Sequence, residues 1–204
     1  MRSIPTILER GLITLEDRRY YDHLGVDPQG ILRALWTRVR DGRSEGASTI
    51  TMGLARNLLG VTRDRSIEAK LEEIALAVRL ELTYSKTEIL RLYLERVEFG
   101  RLSIGVASAA RAYFGVELGD LTTAEQVALL TMIKNPGRYD LAREPEAFRI
   151  RYSRIVVLLR DQGVISSSEA DIAFEAPLRL ADTRPELPYI RDMVRSGAYT
   201  QDQS

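Results

Sequence analysis

Apolar residues recur every three or four positions along most of the chain, a spacing that predicts amphipathic α-helices. After Ile67, for example, they fall at Leu71, Ile74, Ala75, Val78 and Leu82. Polar caps and glycine or proline breaks bound further predicted helices at residues 86–97, from 122 or 123 to 133, at about 145–162, and from 166–168 to before 177. No segment of useful length alternates with a period of two, so the sequence predicts an all-α fold class.

Two stretches depart from this simple pattern. Residues 15–30 combine acids, aromatics, the only histidine and two glycines, and residues 42–62 are rich in glycine, serine and threonine. Between them, residues 31–39 place apolar side chains and a tryptophan opposite arginines. That pattern suits a helix on a membrane surface and, equally, a helix packed against another lobe. Residues 177–204 are interpreted as a C-terminal connector and tail.

Composition narrows the functional classes. The 29 basic and 29 acidic residues cancel, which disfavours a generic nucleic-acid binder, and the 45% hydrophobic content excludes a wholly disordered chain. The absence of cysteine excludes disulfides and thiolate metal sites. No apolar run approaches the roughly 20 residues that span a bilayer, and no signal-peptide pattern is visible. Any membrane anchor is therefore expected outside this chain.

Carboxylates at two places are candidates for chemistry. Glu16 and Asp17 follow the apolar stretch 12–15, where burial would raise a carboxyl pKa and suit a general acid or base. The alternative is an exposed acid pair beside arginines. Lys70 and Glu73 lie three positions apart and share a helix face, either as a functional cation–carboxylate pair or as a solvated surface pair.

A third cluster, residues 46–57, is a candidate anion site. Small residues and hydroxyls stand at a predicted helix start and are followed by Arg56 and Asn57. Backbone N–H groups and the helix dipole favour an anion at such a place. The same letters allow a helix-turn-helix, which we disfavour because its second helix would bring three glutamates towards DNA.

These clusters belong to a longer ordered series of motifs. The series runs Glu16-Asp17-Arg18-Arg19-Tyr20-Tyr21…His23…Gly25-Val26-Asp27, Gly46-Ala47-Ser48-Thr49-Ile50-Thr51…Arg56-Asn57, Arg65-Ser66…Lys70…Glu73, Tyr84-Ser85-Lys86…Tyr93-Leu94…Phe99-Gly100 and Gly105…Tyr113-Phe114-Gly115. In order and spacing it resembles glycosyltransferase family 51, the peptidoglycan glycosyltransferases of class A penicillin-binding proteins and monofunctional enzymes. The resemblance covers about residues 15–195.

The series departs from the family pattern at several positions. Met52 and Gly53 stand where the family usually has two glutamines, and Arg56 where it commonly has lysine. Glu95 replaces a usual asparagine, and Tyr20 a usual phenylalanine. We expect these changes to affect substrate affinity more than the fold, and a glutamine at position 53 to strengthen binding of moenomycin-type inhibitors.

The resemblance implies a single glycosyltransferase domain over residues 1–204 with a two-lobed, lysozyme-like fold. A small jaw lobe at about residues 31–63 would rest on the membrane. The implied reaction polymerises lipid II into glycan strands with inversion and releases polyprenyl diphosphate. Glu16 would be the general base and Glu73 a second catalytic residue. The implied substrate-binding residues are Asp17, Tyr20, His23, Gly46, Ser48, Thr49, Arg56, Asn57, Arg65 and Lys70.

The sequence requires no cofactor and predicts no resident metal site, while the resemblance allows a divalent cation, Mg²⁺ or Mn²⁺, at the diphosphate. The expected partners are lipid II, the growing glycan strand, the membrane surface, and a transpeptidase domain or other cell-wall enzymes, without nucleic acid. The expected location is the extracytoplasmic face of the bacterial cell membrane. Two alternatives remain open: a lysozyme-like glycan-cleaving enzyme with Glu16 as the acid, and a degenerate domain that binds precursor without turnover.

Overall fold

The computed structural model describes residues 4–41, 48–60, 66–101, 103–133, 135–178 and 180–181. Within these ranges the helices are α1 (Thr6–Glu16), α2 (Pro28–Asp41), α3 (Ile50–Leu59), α4 (Ile67–Thr83), α5 (Lys86–Arg96), α6 (Val106–Phe114), α7 (Thr123–Ile133), α8 (Pro145–Asp161) and α9 (Ser167–Glu175). Strand β1 (Glu98–Phe99) pairs antiparallel with β2 (Ser103–Ile104), and Tyr20–Asp22 and Leu118–Asp120 form short 3₁₀ turns. The predicted all-α fold class is confirmed.

Local capping explains where several predicted helices begin. Ser85 precedes α5 and exchanges hydrogen bonds with Glu88, and Ser166 forms the same capping box with Glu169 before α9. Each pair satisfies backbone donors that the first helical turn would otherwise leave without partners. Because these interactions span only three residues, the sequence reveals them directly.

Helix α1 is absent from the helices predicted by periodicity, because Pro5 and the polar start of the chain obscure its pattern. The structure shows that it buries Leu8 and Leu12 and packs against α7. Gly11 allows the two helices to approach closely, since a Cβ at that position would collide with the Leu130 side chain. The stability of α1 therefore depends on a partner that is distant in sequence.

Helix α7 forms the centre of the core. Its residues from Gln126 to Ile133 are all buried, as expected for a helix that is apolar on every side. Helices α1, α6, α8 and α9 pack around it. The end of α1, which carries Glu16, is therefore fixed to the most deeply buried part of the molecule.

Helix α3 is anchored to the rest of the molecule, whereas α2 presents an apolar face to solvent. Helix α3 packs on α4 and α5 through buried side chains that include Ile50 and Leu54. On α2, Leu32, Trp36 and Val39 are 67%, 67% and 85% exposed. Across the described ranges, no helix is long and apolar enough to cross a membrane.

Two expectations about domain organisation stay predictions. The jaw lobe at residues 31–63 includes residues 42–47 and 61–63, which lie outside the described residues. The connector and tail at residues 177–204 lie mostly outside them as well.

Candidate active site

A cleft of about 440 Å³ opens where α1 ends, α3 begins and α5 ends. It is lined by Leu15, Glu16, Ser48, Thr49, Ile50, Gly53, Arg56, Asn57, Tyr93, Val97, Glu98, Ile133 and Pro136. The cleft therefore brings together five of the predicted site residues, from two motifs that are separate in sequence.

Glu16 is the last residue of α1 and faces Tyr93 within the cleft. The pKa of the Tyr93 phenol is raised by burial and, in addition, by the negative charge of Glu16, while Arg56 acts in the opposite direction. Glu16, Tyr93 and Arg56 all line the cleft, so the carboxylate, the phenol and the guanidinium lie within electrostatic range of one another. A carboxylate in such a position can accept a proton from a hydroxyl bound in the cleft.

Asp17 lies directly behind Glu16 and is buried. Its carboxylate accepts hydrogen bonds from His23 Nε2, at 3.0 and 3.1 Å, and from the backbone N–H of Ile50, at 3.0 Å. An ionised carboxylate has only acceptors, so these contacts assign the proton to Nε2 of the histidine. Asp17 and His23 do not line the cleft; in the structure they join the end of α1 to the start of α3.

Tyr20 is fully buried below the same region. Its hydroxyl donates to the backbone carbonyl of Lys86 at 2.7 Å, and the Lys86 ammonium lies 4.5 Å from the ring centroid. Burial, together with the charge of Glu81, raises the pKa of the phenol far above its ordinary value. Tyr20 therefore remains neutral and supports the first motif from beneath.

The start of α3 is fixed by Thr49. Its Oγ1 accepts the backbone N–H of Met52 at 3.1 Å and donates to the Gly25 carbonyl at 2.5 Å. The cap leaves the exposed Ser48 at the mouth of the cleft. Gly46, which was predicted to bind substrate, lies outside the described residues.

A cluster of two cations and one carboxylate adjoins the cleft, which it reaches through Arg56. Glu73 of α4 is buried and accepts from Arg56 Nε at 2.5 Å, Arg56 Nη2 at 3.2 Å and Lys70 Nζ at 2.8 Å. Ser48 Oγ lies 3.2 Å from Lys70 Nζ and 3.5 Å from Arg56 Nη2. The Lys70–Glu73 pair is therefore part of a partly buried network, not an isolated surface pair.

The protonation of this cluster follows from its contacts. Burial acts to raise the pKa of the Glu73 carboxyl, but hydrogen bonds and charges from Arg56 and Lys70 outweigh it and lower the pKa. The hydrogen bond to Glu73 raises the pKa of Arg56. The three groups together carry one net positive charge, which suits them to an anionic ligand. Arg65, the third predicted cation, lies outside the described residues.

A divalent cation does not fit this arrangement at Glu73. Both carboxylate oxygens already accept hydrogen bonds from cationic side chains. Within the described ranges, no group of three acidic or histidine side chains converges to hold a metal ion. The Glu73 carboxylate is therefore arranged to hold cationic side chains and not a metal ion.

The cleft residues that are missing from the predicted site include Gly53, Tyr93 and Glu98. A Cβ at Gly53 would lie 3.0 Å from Tyr93 Cε2, so the absent side chain leaves room for the aromatic ring. Tyr93 belongs to the fourth motif, so the motif itself could have indicated that Tyr93 is a site residue. Glu98 offers no comparable local signal.

Known proteins resemble this chain over most of its length. The family model described as transglycosylase matches residues 1–160. Penicillin-binding protein 1A of Haemophilus influenzae is 39% identical over 204 residues, covering 96% of this chain and 23% of that protein. A protein named "Putative transglycosylase" from Cupriavidus necator is 40% identical over 178 residues, covering 87% of this chain and 77% of that protein. Penicillin-binding protein 1A of Escherichia coli is 34% identical over 98% of this chain and 24% of its own length. The chain thus spans about a quarter of the penicillin-binding proteins that it matches.

Proposed function

This chain belongs to the transglycosylase family, and on that premise we propose that it is a peptidoglycan glycosyltransferase that polymerises lipid II. The observation that carries the proposal is the placement of Glu16 in the same cleft as Arg56, whose guanidinium is tied to Glu73 and Lys70. A proton acceptor and a guanidinium from a cluster of net positive charge, both lining one cavity, are what transfer from a glycosyl diphosphate requires.

In the proposed reaction, Glu16 removes the proton from the 4-hydroxyl of the acceptor sugar. The hydroxyl oxygen attacks the anomeric carbon of the donor as the bond from that carbon to the diphosphate oxygen breaks. The configuration at the carbon inverts, and the electron pair leaves with the polyprenyl diphosphate. General base catalysis typically contributes roughly 10²–10⁴-fold, so stabilisation of the leaving group must supply a large further share.

That stabilisation is assigned to Arg56 and Lys70. Charge-assisted hydrogen bonds from these groups to diphosphate oxygens strengthen as negative charge develops on the leaving group. Ser48 and the start of α3 lie on the same side, where a helix N-terminus adds favourable partial charge. Glu73 holds the two cations in place. From its position in the third motif, we propose that Arg65 belongs to the same cation cluster.

The proposed partners are lipid II, the growing glycan strand and the membrane surface. The exposed side chains of Leu32, Trp36 and Val39 on α2 offer an apolar face to the membrane. The proposed location of the domain is the extracytoplasmic face of the bacterial membrane. A transpeptidase domain or other cell-wall enzymes would use the strands that it makes.

Incubation with fluorescent lipid II followed by gel separation tests the proposal. The expected products are a ladder of glycan polymers and free polyprenyl diphosphate. Fragments from purified cell wall, without polymer from lipid II, would instead establish a glycan-cleaving enzyme. Tight binding of lipid II without polymer or fragments would establish a precursor-binding domain. Either result would overturn the proposed polymerase activity.

A further inference from the structure

A second groove lies beside the candidate active site. It has a volume of about 440 Å³ and is formed by α8 and the segment that follows α7. The side chain of Leu15 lines both cavities, one residue before Glu16. Pro136 lines the active-site cleft and Arg138 lines the groove. The two cavities are therefore neighbours along one surface of the molecule.

Three arginines line this groove, and two of them lie against the ring of Tyr139. The Cζ atoms of Arg138 and Arg151 lie 5.6 and 4.7 Å from the centroid of Tyr139, and Arg154 lines the same cavity. No aspartate or glutamate lines the groove. In a chain of zero net charge, this is a local concentration of positive charge.

The three arginines differ in how firmly they are held. Arg151 Nε donates to the backbone carbonyl of Thr131 at 3.0 Å and thereby joins α8 to the end of α7. Within the described part of the chain, the side chains of Arg138 and Arg154 have no carboxylate partner. Both are exposed, so their guanidinium groups are available to a ligand in the groove.

The floor of the groove is apolar. It consists mainly of Leu15, Ala147, Ile150, Ile155 and Leu158. A ligand that matches the whole groove therefore needs carboxylates for the arginines and small alkyl groups for the floor. A short acidic peptide rich in alanine has both.

We propose that this groove binds the carboxylate-bearing peptide stems of the glycan strand as the strand extends from the active-site cleft. The inference rests on the proposed function, because that function supplies a sugar polymer with peptide branches. Its independent support is the shared Leu15, which makes the groove a neighbour of the cleft, and the match of charge. The groove would retain the polymer between successive additions and so favour long products.

The test compares a double variant, Arg138→Ala with Arg154→Ala, with the control Arg149→Ala. Arg149 lies on α8, as Arg154 does, but it is paired with Glu146 at 3.0 Å and lies outside the groove lining. The probes are soluble, uncrosslinked glycan strands of defined length, with peptide stems or with the stems removed enzymatically, measured by fluorescence anisotropy.

We expect the double variant to bind stem-bearing strands about tenfold more weakly, as for the loss of charge-assisted hydrogen bonds, and to bind stem-free strands unchanged. The control should match wild type on both probes. Equal losses on both probes, or no loss on either, would overturn the proposal. Loss of binding to vesicles of anionic lipid, with stem binding intact, would assign the groove to headgroups and also overturn it.

Two further measurements keep the result interpretable. Circular dichroism and thermal unfolding verify the fold, and the pair Arg138→Lys with Arg154→Lys, which keeps the charge, should recover most of the stem binding. Binding needs no turnover, so a protein that binds stems but makes no polymer refutes the glycosyltransferase proposal alone. A protein that polymerises lipid II but binds stem-bearing and stem-free strands equally refutes the groove alone.

Discussion

The Asp17 carboxylate accepts the backbone N–H of Ile50 at 3.0 Å and so joins the last turn of α1 to the first turn of α3. One residue before it stands Glu16, and one residue before Ile50 stands the cap Thr49. A buried hydrogen bond between backbone and carboxylate thus sets the spacing between the proposed base and the anion-binding end of the cleft. Asp17, the residue next to the proposed base, thus holds the end of α1 and the start of α3 at a fixed distance.

Replacing that carboxylate should be costly. We expect Asp17→Ala to leave the Ile50 N–H and His23 without their buried acceptor and to lower the free energy of unfolding by about 1–3 kcal/mol. Polymerisation should fall as well, because Glu16 loses its fixed position. Urea unfolding and the rate on lipid II measure the two effects. Asp22→Ala is the matched control, since its pairing with Arg19 is exposed and 3.7 Å long.

Glu16→Gln should abolish polymerisation while the fold remains intact. The amide keeps the size of the side chain and loses only the ability to take a proton. Glu98→Gln, at a second cleft carboxylate, is the control and should retain most of the rate. Initial rates on fluorescent lipid II decide the question. A Glu16→Gln variant with more than about a tenth of the wild-type rate would show that Glu16 is not the base.

Arg56→Ala and Lys70→Ala should each reduce kcat/KM about ten- to a hundredfold, as expected for lost hydrogen bonds to a charged group. Arg56→Lys should retain most of the activity. From the sequence alone, Arg151 looks like a solvated charge suited to a control, but its bond to the Thr131 carbonyl makes it structural. Arg149→Ala is the better control. Wild-type rates in both alanine variants would contradict the proposal that Arg56 and Lys70 stabilise the diphosphate.

Acid should weaken the Glu73 cluster. Arg56 and Lys70 lower the pKa of Glu73 in the folded protein in spite of burial, so its contribution to stability is complete above the unfolded value near 4.3 and is lost as the pH falls through the lower folded value. The difference in free energy of unfolding between wild type and Glu73→Gln should therefore be largest at neutral pH and shrink below about pH 4.

Urea unfolding from pH 7 to pH 3 measures this difference. Glu72→Gln, at the exposed neighbouring position on α4, should show a small difference at every pH. A Glu73→Gln difference that stays constant across the range would contradict the assignment.

The sequence alone favours Gly53→Gln as a gain in inhibitor affinity, but the structure opposes it. Any side chain at position 53 begins 3.0 Å from Tyr93 Cε2, so the ring must move to admit it. We expect a loss of about 1–3 kcal/mol of stability, as for overpacking, and no gain in affinity for a moenomycin-type inhibitor. Unfolding and inhibitor titration test both parts, with Leu58→Gln as a control, at an exposed position of α3 that lies outside the cleft lining. A tighter inhibitor complex with unchanged stability would restore the expectation from sequence.

Features that depend on contacts between neighbouring residues could be predicted from the sequence, whereas features that depend on long-range contacts could not. Helix α5 could be predicted because Ser85 and Glu88 cap it within one turn. Helix α1 could not be predicted, because its apolar face is stabilised by packing against Leu130 and the rest of α7, which are distant in sequence. In the site, Glu16 and Arg56, which the sequence predicts as a catalytic and a substrate-binding residue, lie in one cleft. The place of Asp17 beneath the cleft depends on a bond to the distant Ile50, which no local pattern encodes.

The packing of α1 against α7 has a consequence for the order in which the protein folds during synthesis. A ribosome releases the N-terminus first, so α1 emerges with Leu8 and Leu12 exposed and must wait for α7 before it can bury them. Closure between such distant segments is slow, because a long loop must lose its entropy before the contact stabilises it. The proposed base at the end of α1 is therefore positioned only after the centre of the chain has been synthesised, and a nascent chain cannot begin catalysis early.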